Sequence, residues 1–173
     1  MNLDKKTLSE VLQTANNKDY FLLAKYLKGK NLFDAKELND QPFGIIKEIQ
    51  YILQKEDFEN YPSIITKVCN IEQPENLDFF DYFYQWNWIL QELEKIKNRE
   101  DEFLGYEPTN KEIAAGVENL YKFGSFATID KLAGGDILKY KEVEKMPYHL
   151  VFTKLYLEKT TAEYMAEYSK IKK

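Results

Sequence analysis

Two side chains in this sequence are of the types that most often carry catalysis or bind metals. The chain has one histidine, His149, and one cysteine, Cys69. A metal site built from several histidines is therefore impossible within one copy, and the sequence supplies no recognisable nucleophile to pair with His149. Cys69 follows Val68 in an apolar row, which is typical of a small buried side chain. Neither residue predicts an active site.

Three short runs superficially suggest ligand or catalytic sites. Residues 134–136, Gly-Gly-Asp, lack the second glycine and the Lys-Ser/Thr pair with which a P-loop holds phosphate and magnesium. Gly124-Ser125 lacks the pattern that surrounds a nucleophile elbow. A divalent cation could bind the acidic residues 100–102, but their spacing is that of a solvated helix end and not of a calcium loop. The sequence therefore predicts no catalytic, cofactor-binding or metal-binding residues, and a protein that is not an enzyme.

Composition narrows the class of protein further. The chain has 173 residues, a net charge of −5 and 15% aromatic residues. The negative charge argues against nucleic-acid binding, which needs clustered basic residues, although Lys170, Lys172 and Lys173 form a small basic cluster at the C-terminus. A single cysteine fits a reducing compartment. The polar start lacks the apolar core of a signal peptide, and no apolar run is long enough to span a membrane, so we expect a cytoplasmic protein.

The elements are organised around residues 77–104, the densest apolar stretch. One apolar row follows three- and four-residue steps along a helix and comprises Phe79, Phe83, Trp86, Leu90, Leu93 and Ile96. A second row, formed by Phe80, Tyr84 and Trp88, makes the first half apolar nearly all round, so that half must be buried against several partners. Asp78 is the predicted N-cap and Gly105, in a left-handed conformation, the predicted stop.

The rest of the chain also shows helical periodicity. Helices are predicted near residues 5–14 and 19–28, from 43 to 53, from 61 to 69, after a capping box formed by Thr109 and Glu112, at 136–146, and from Pro147 onward. Thr160-Thr161 is expected to interrupt this last helix. We therefore predict an all-α fold, a single helical, bundle-like domain covering residues 1–173, with about six to eight helices around residues 77–104. A subdomain boundary is possible near residues 70–76.

The last predicted helix carries more aromatic surface than one apolar face needs. Its candidate partner-binding residues are Tyr148, Phe152, Tyr156, Tyr164 and Tyr168. An exposed aromatic face of this kind suits recognition of a helical partner. The competing interpretation is that these rings cover the central helix.

The C-terminal third also resembles a known class of proteins. The features that carry the resemblance are the turn at residues 132–136, the helix start at residues 146–148 and the helix end at residues 161–168. In these features the chain resembles helical tail-assembly proteins that are encoded beside the tape measure gene of tailed phages. The resemblance implies a non-enzymatic role in virion assembly, either as a chaperone of an extended tail protein or as a structural component.

The leading hypothesis is therefore a chaperone-like protein that binds a phage tail or tape measure protein, with no nucleic acid, membrane or cofactor as a partner. A structural neck or tail component, held in a homo-oligomer by its aromatic face, is the alternative. A helical enzyme with an unrecognised site is the third hypothesis. The first two place the protein in the host cytoplasm or in the virion.

Overall fold

A computed structural model describes residues 26–171, and this part of the chain is all-helical, as the sequence predicts. It contains eight α-helices and no strand, apart from an isolated bridge between Pro42 and Pro147. The α-helices are α1 (Phe43–Gln54), α2 (Tyr61–Cys69), α3 (Phe79–Leu104), α4 (Asn110–Ala114), α5 (Glu118–Tyr121), α6 (Ser125–Leu132), α7 (Tyr140–Lys145) and α8 (Tyr148–Ile171). Short 3-10 helices occupy Leu38–Asp40, Phe58–Asn60, Pro74–Asn76 and Ile137–Lys139. The helices predicted near residues 5–14 and 19–28 lie wholly or almost wholly outside the described residues.

The described residues divide into two compact units. The first contains residues 26–41 and 45–96, and the second contains residues 42–44 and 97–171. The expected subdomain boundary near residues 70–76 lies inside the first unit. That the chain is a single domain stays a prediction.

Helix α3 is the long helix that the sequence predicts between residues 77 and 104. It begins at Phe79, and the carboxylate of Asp78 accepts a hydrogen bond from the backbone N–H of Phe80 at 2.9 Å, which is the predicted N-cap. It ends at Leu104, before Gly105, but the expected left-handed conformation of Gly105 is wrong. A Cβ at Gly105 would lie 2.4 Å from the carbonyl oxygen of Asp101, so glycine is needed there for space.

The first half of α3 is covered on several sides, with its second predicted row, Phe80, Tyr84 and Trp88, half-buried. No residue from Tyr82 to Leu90 is exposed, over about two and a half helical turns. The predicted apolar row is buried except for Leu90, which is half-buried. Trp86 stacks on Tyr61 of α2 with ring centroids 4.7 Å apart. The prediction that this half needs partners on several faces is confirmed.

The buried positions also include two amides, Gln85 and Asn87, that the apolar pattern did not mark. The side-chain oxygen of Gln85 accepts from the backbone N–H of Leu32 at 2.8 Å. The side-chain nitrogen of Asn87 donates to the carbonyl of Leu27 at 2.7 Å. These bonds fix the segment 27–32 along α3, because a buried amide must find hydrogen-bond partners.

The segment 27–32 approaches the helix backbone as well. The N–H of Lys30 donates to the carbonyl oxygen of Tyr84 at 2.9 Å. A Cβ at Gly29 would lie 2.4 Å from the backbone nitrogen of Trp88, so no larger residue fits without moving the chain. Gly29 therefore allows the segment 27–32 to lie against the backbone of α3, and the side-chain amides of Gln85 and Asn87 hold the segment there.

In the second unit, the predicted helix after Gly105 is broken by glycines. The capping box between Thr109 and Glu112 is present and starts α4. Gly116 and Gly124 then take positive φ angles of 81° and 49°, which split the segment into α4, α5 and α6. Ile113, Leu120 and Phe123, which have the spacing of one apolar helical stripe, are exposed.

The structure has no helix, within residues 26–171, that combines the length and the apolar character needed to cross a membrane.

The amide of Gln85 gives a test of this packing. Replacing Gln85 by methionine keeps the side-chain volume but removes the acceptor for the N–H of Leu32, and we expect a loss of about 2 kcal/mol in the free energy of unfolding. The matched control, Gln91→Met on the exposed side of the same helix, should change it by less than about 0.5 kcal/mol. Urea unfolding of both variants measures the difference, and equal stabilities would contradict the bonding described here.

Candidate functional site

The five aromatic residues singled out by the sequence all lie on α8, which runs from Tyr148 to Ile171 without a break. The expected interruption at Thr160-Thr161 is wrong. The hydroxyl of Thr161 donates to the carbonyl of Leu157, four residues earlier, at 2.8 Å. The polar group is therefore satisfied within the helix and does not compete with it.

Tyr148 lies inside the second unit. Its exposed fraction is 1%, and its ring stacks on Phe43 with centroids 6.3 Å apart. Its hydroxyl donates to the carboxylate of Glu100 at 2.7 Å. Burial, with a smaller contribution from this hydrogen bond, raises the pKa of Tyr148 well above its usual range. This residue presents almost no surface to a partner.

Phe152 and Tyr156 continue the same contact along the last turns of α3. Phe103 meets both rings edge to face, with centroids 6.4 Å from Phe152 and 5.3 Å from Tyr156. The guanidinium of Arg99 lies 4.3 Å from the centroid of the Phe152 ring, within the range of a cation–π interaction. Together with Tyr148, these residues form the inner face of α8, which favours the covering interpretation for three of the five aromatic residues.

A lysine adds a polar contact at the end of α3. The ammonium group of Lys159 donates to the carbonyl of Gly105 at 2.8 Å. A cation is favourable where the carbonyls of a helix C-terminus point. The contact extends the inner face of α8 by two turns beyond Val151, which is also buried.

The opposite side of α8 is exposed along its whole length. Four large apolar residues recur at every seventh position: Leu150, Leu157, Tyr164 and Ile171, with exposed fractions of 53%, 59%, 63% and 82%. At 100° per residue they lie about 140–200° around the helix from Tyr148. We name these four residues the outer stripe.

The remaining two aromatic residues belong to this outer side. Tyr164 is itself in the outer stripe, and Tyr168 is 47% exposed. Their rings stack, with centroids 6.0 Å apart. The sequence grouped all five aromatic residues on one surface, whereas the structure divides them between the two sides of α8.

A shallow groove of about 420 Å³ lies beside the outer stripe, between α6 and α8. Leu157 and Met165 line its apolar part. Its polar part contains Glu158, which forms ion pairs with Lys131 at 2.8 Å and Lys154 at 3.0 Å. Hydrogen bonds from Lys131 and then Lys154 lower the pKa of Glu158. The groove is consequently a shallow, partly apolar surface whose charged residues are ion-paired.

A second exposed apolar surface lies on the short helices that the glycines create. It comprises Ile113, Leu120, Tyr121, Phe123 and Phe126, each between 47% and 59% exposed. We name it the α4–α6 surface. Sequence reasoning missed it because the same residues have the spacing of a buried helical stripe, and only the backbone breaks turn them outward.

Three of the residues that the sequence offered for catalysis or ligand binding are half-buried or cap a helix. Cys69 is half-buried, and burial raises its thiol pKa to about 11 while a hydrogen bond with Gln85 acts in the opposite direction. The carboxylate of Asp136 accepts from the N–H of Leu138 at 3.0 Å and starts a 3-10 helix. His149 is half-buried. Within residues 26–171, the structure brings together no group of three or more side chains of metal-ligand type.

A comparison of the sequence with models of known protein families found no match, and comparisons with curated proteins and with solved structures also found none.

The inner face of α8 predicts different effects for two of its tyrosines. Tyr148→Phe keeps the buried ring but removes the donor to Glu100, and we expect a loss of about 1.5–3 kcal/mol in the free energy of unfolding, as for hydrogen bonds to charged groups. Tyr156→Phe, at a residue 42% exposed, should change it by less than about 0.5 kcal/mol. Thermal and denaturant unfolding measure both, and a Tyr148 variant as stable as the Tyr156 variant would show that the hydroxyl contributes nothing to this face.

Proposed function

We propose that the chain is a non-enzymatic interaction protein that binds another protein during the assembly of a larger complex. Its narrower role, on the resemblance of its C-terminal third, is chaperone-like work in phage tail assembly. The general proposal is supported by the surface of the second unit. The narrower role is supported by the resemblance.

One observation carries the general proposal. Of the nineteen large apolar side chains that are exposed among residues 26–171, sixteen lie between residues 106 and 171. Soluble monomers rarely expose contiguous apolar patches of more than a few hundred Å², and larger ones mark binding sites. A protein that covers the apolar row of α3 and leaves the apolar side chains of residues 106–171 uncovered fits a partner on its second unit.

The form of the two apolar surfaces suits a helical partner. The outer stripe is straight and about 30 Å long, the length of twenty-one residues of helix. The α4–α6 surface offers aromatic side chains at 57%, 48% and 49% exposure, in Tyr121, Phe123 and Phe126. An amphipathic helix inserts side chains of three- and four-residue spacing into apolar surfaces of this kind.

Comparative capture tests the proposal. The full chain, with Leu120→Glu or Phe123→Glu, should retain its fold because both residues are exposed, and should lose a partner that the wild-type chain captures from cells in which it is made. We expect at least a tenfold loss of that partner in quantitative mass spectrometry. The control is Tyr51→Glu, at a residue of the first unit that is 60% exposed, and it should capture as the wild type does.

The identity of the captured partner tests the narrower role. Recovery of a tail or tape measure protein, reduced in the two variants but not in the control, is the expected result. Recovery of nucleic acid or small metabolites alone, or a set of proteins unchanged by all three substitutions, would contradict the proposed function.

A further inference from the structure

The outer stripe has the spacing that one helix presents to another helix. Leu150, Leu157, Tyr164 and Ile171 repeat every seven residues, which is the spacing of one of the two contact positions in a heptad. The position four residues further on holds Lys154, Thr161 and Tyr168. Within the described residues, α8 is the helix that carries this repeat on an exposed side. A second copy of the chain therefore supplies a matching helix.

We propose that two copies of this chain associate through their outer stripes, with the two α8 helices antiparallel. This inference rests on the proposed function, because both take the exposed apolar residues of the second unit as binding surfaces. It names a second copy as the occupant of the outer stripe and leaves the α4–α6 surface for the other protein.

The area of the stripe is sufficient for a dimer. A large side chain exposes about 200 Å² when fully accessible, so the outer stripe together with Tyr168 leaves roughly 600 Å² uncovered per copy. Complete cover of these residues in two copies would bury about 1,200 Å², which is the lower end of specific, stable interfaces. The stem of Lys154 and the side chain of Thr161 lie alongside and add to this area.

The charges beside the stripe leave the orientation to packing. Lys154, whose side chain is 57% exposed, pairs with Glu158 at 3.0 Å, and Glu167 pairs with Lys170. Because each pair is neutral within its own copy, neither orientation brings unpaired like charges together.

The middle of the stripe is suited to close approach. The centre of an antiparallel pair falls near Thr161, whose hydroxyl is already bonded to the carbonyl of Leu157, so burial leaves no unpaired donor. Around this centre, Leu157 of one copy lies beside Tyr164 of the other, and Leu150 lies near Ile171. The ring of Tyr164 thus meets the smaller side chain of Leu157, whereas in a parallel pair it would meet the Tyr164 ring of the other copy.

Sedimentation of the purified full chain tests the association. We expect a dimer at about 100 µM, a concentration at which small specific interfaces are populated. Leu157→Glu should weaken dimerisation at least a hundredfold, and Tyr51→Glu should not. Circular dichroism checks that both variants stay helical. A wild-type chain that is monomeric, or a dimer indifferent to Leu157→Glu, would overturn the proposal.

Disulfide cross-linking tests the orientation. In a Cys69→Ala background, Thr161→Cys should form a covalent dimer under mild oxidation. Leu150→Cys and Ile171→Cys should cross-link with each other in a mixture and not each with itself. Self-linking of both end variants would indicate a parallel pair and overturn the antiparallel proposal.

The two proposals fail in distinguishable ways. A monomeric chain whose Phe123→Glu variant still loses a captured partner overturns the self-association and leaves the proposed function. A dimer dissociated by Leu157→Glu, from which no other protein is captured by any variant, supports the self-association and overturns the proposed function.

Discussion

The constraint on which the rest of the fold depends is the burial of α3 between Tyr82 and Leu90, where no residue is exposed. A helix covered on several sides needs apolar neighbours for its rings and hydrogen-bond partners for its amides. The stacking of Trp86 on Tyr61 meets the first need, and the bonds from Gln85 and Asn87 to the segment 27–32 meet the second. An unpaired buried amide would cost about 1–3 kcal/mol. The path of the segment 27–32 across α3 is therefore determined by these hydrogen bonds as well as by packing.

The second half of α3 imposes a weaker constraint on its neighbours. Residues 97–104 need cover on one side only, and the inner face of α8 provides it through Tyr148, Phe152 and Tyr156. A helix with no other role would be polar on its opposite side. Helix α8 instead has large apolar residues there, in the outer stripe. The same helix therefore contributes to folding with one side and leaves large apolar side chains exposed on the other.

Much of the helical framework could be predicted from the sequence because it depends on local rules. The all-α class, the extent of α3, the cap at Asp78 and the capping box of Thr109 and Glu112 each follow from the spacing of a few neighbouring residues. The conformation of Gly105 could not be predicted, because it depends on how close the carbonyl of Asp101 comes.

The candidate surfaces were harder to predict because spacing does not show which side of a helix is covered. Tyr148 and Tyr164 both belong to the aromatic group of the last helix, yet one is 1% and the other 63% exposed. The burial of Gln85 is set by its bond to Leu32, fifty-three residues away, and no local pattern contains that information. The positive φ angles of Gly116 and Gly124 likewise turn an apparent core stripe outward.

Amide hydrogen exchange of the full chain is the most direct test of the central role of α3. If α3 is the element that its neighbours must cover, the amides of residues 83–96 should exchange only through global unfolding, with the highest protection in the protein. The amides of residues 160–171, on the exposed end of α8, should exchange by local fraying and much faster. Equal protection in the two segments, or faster exchange in residues 83–96, would contradict the account.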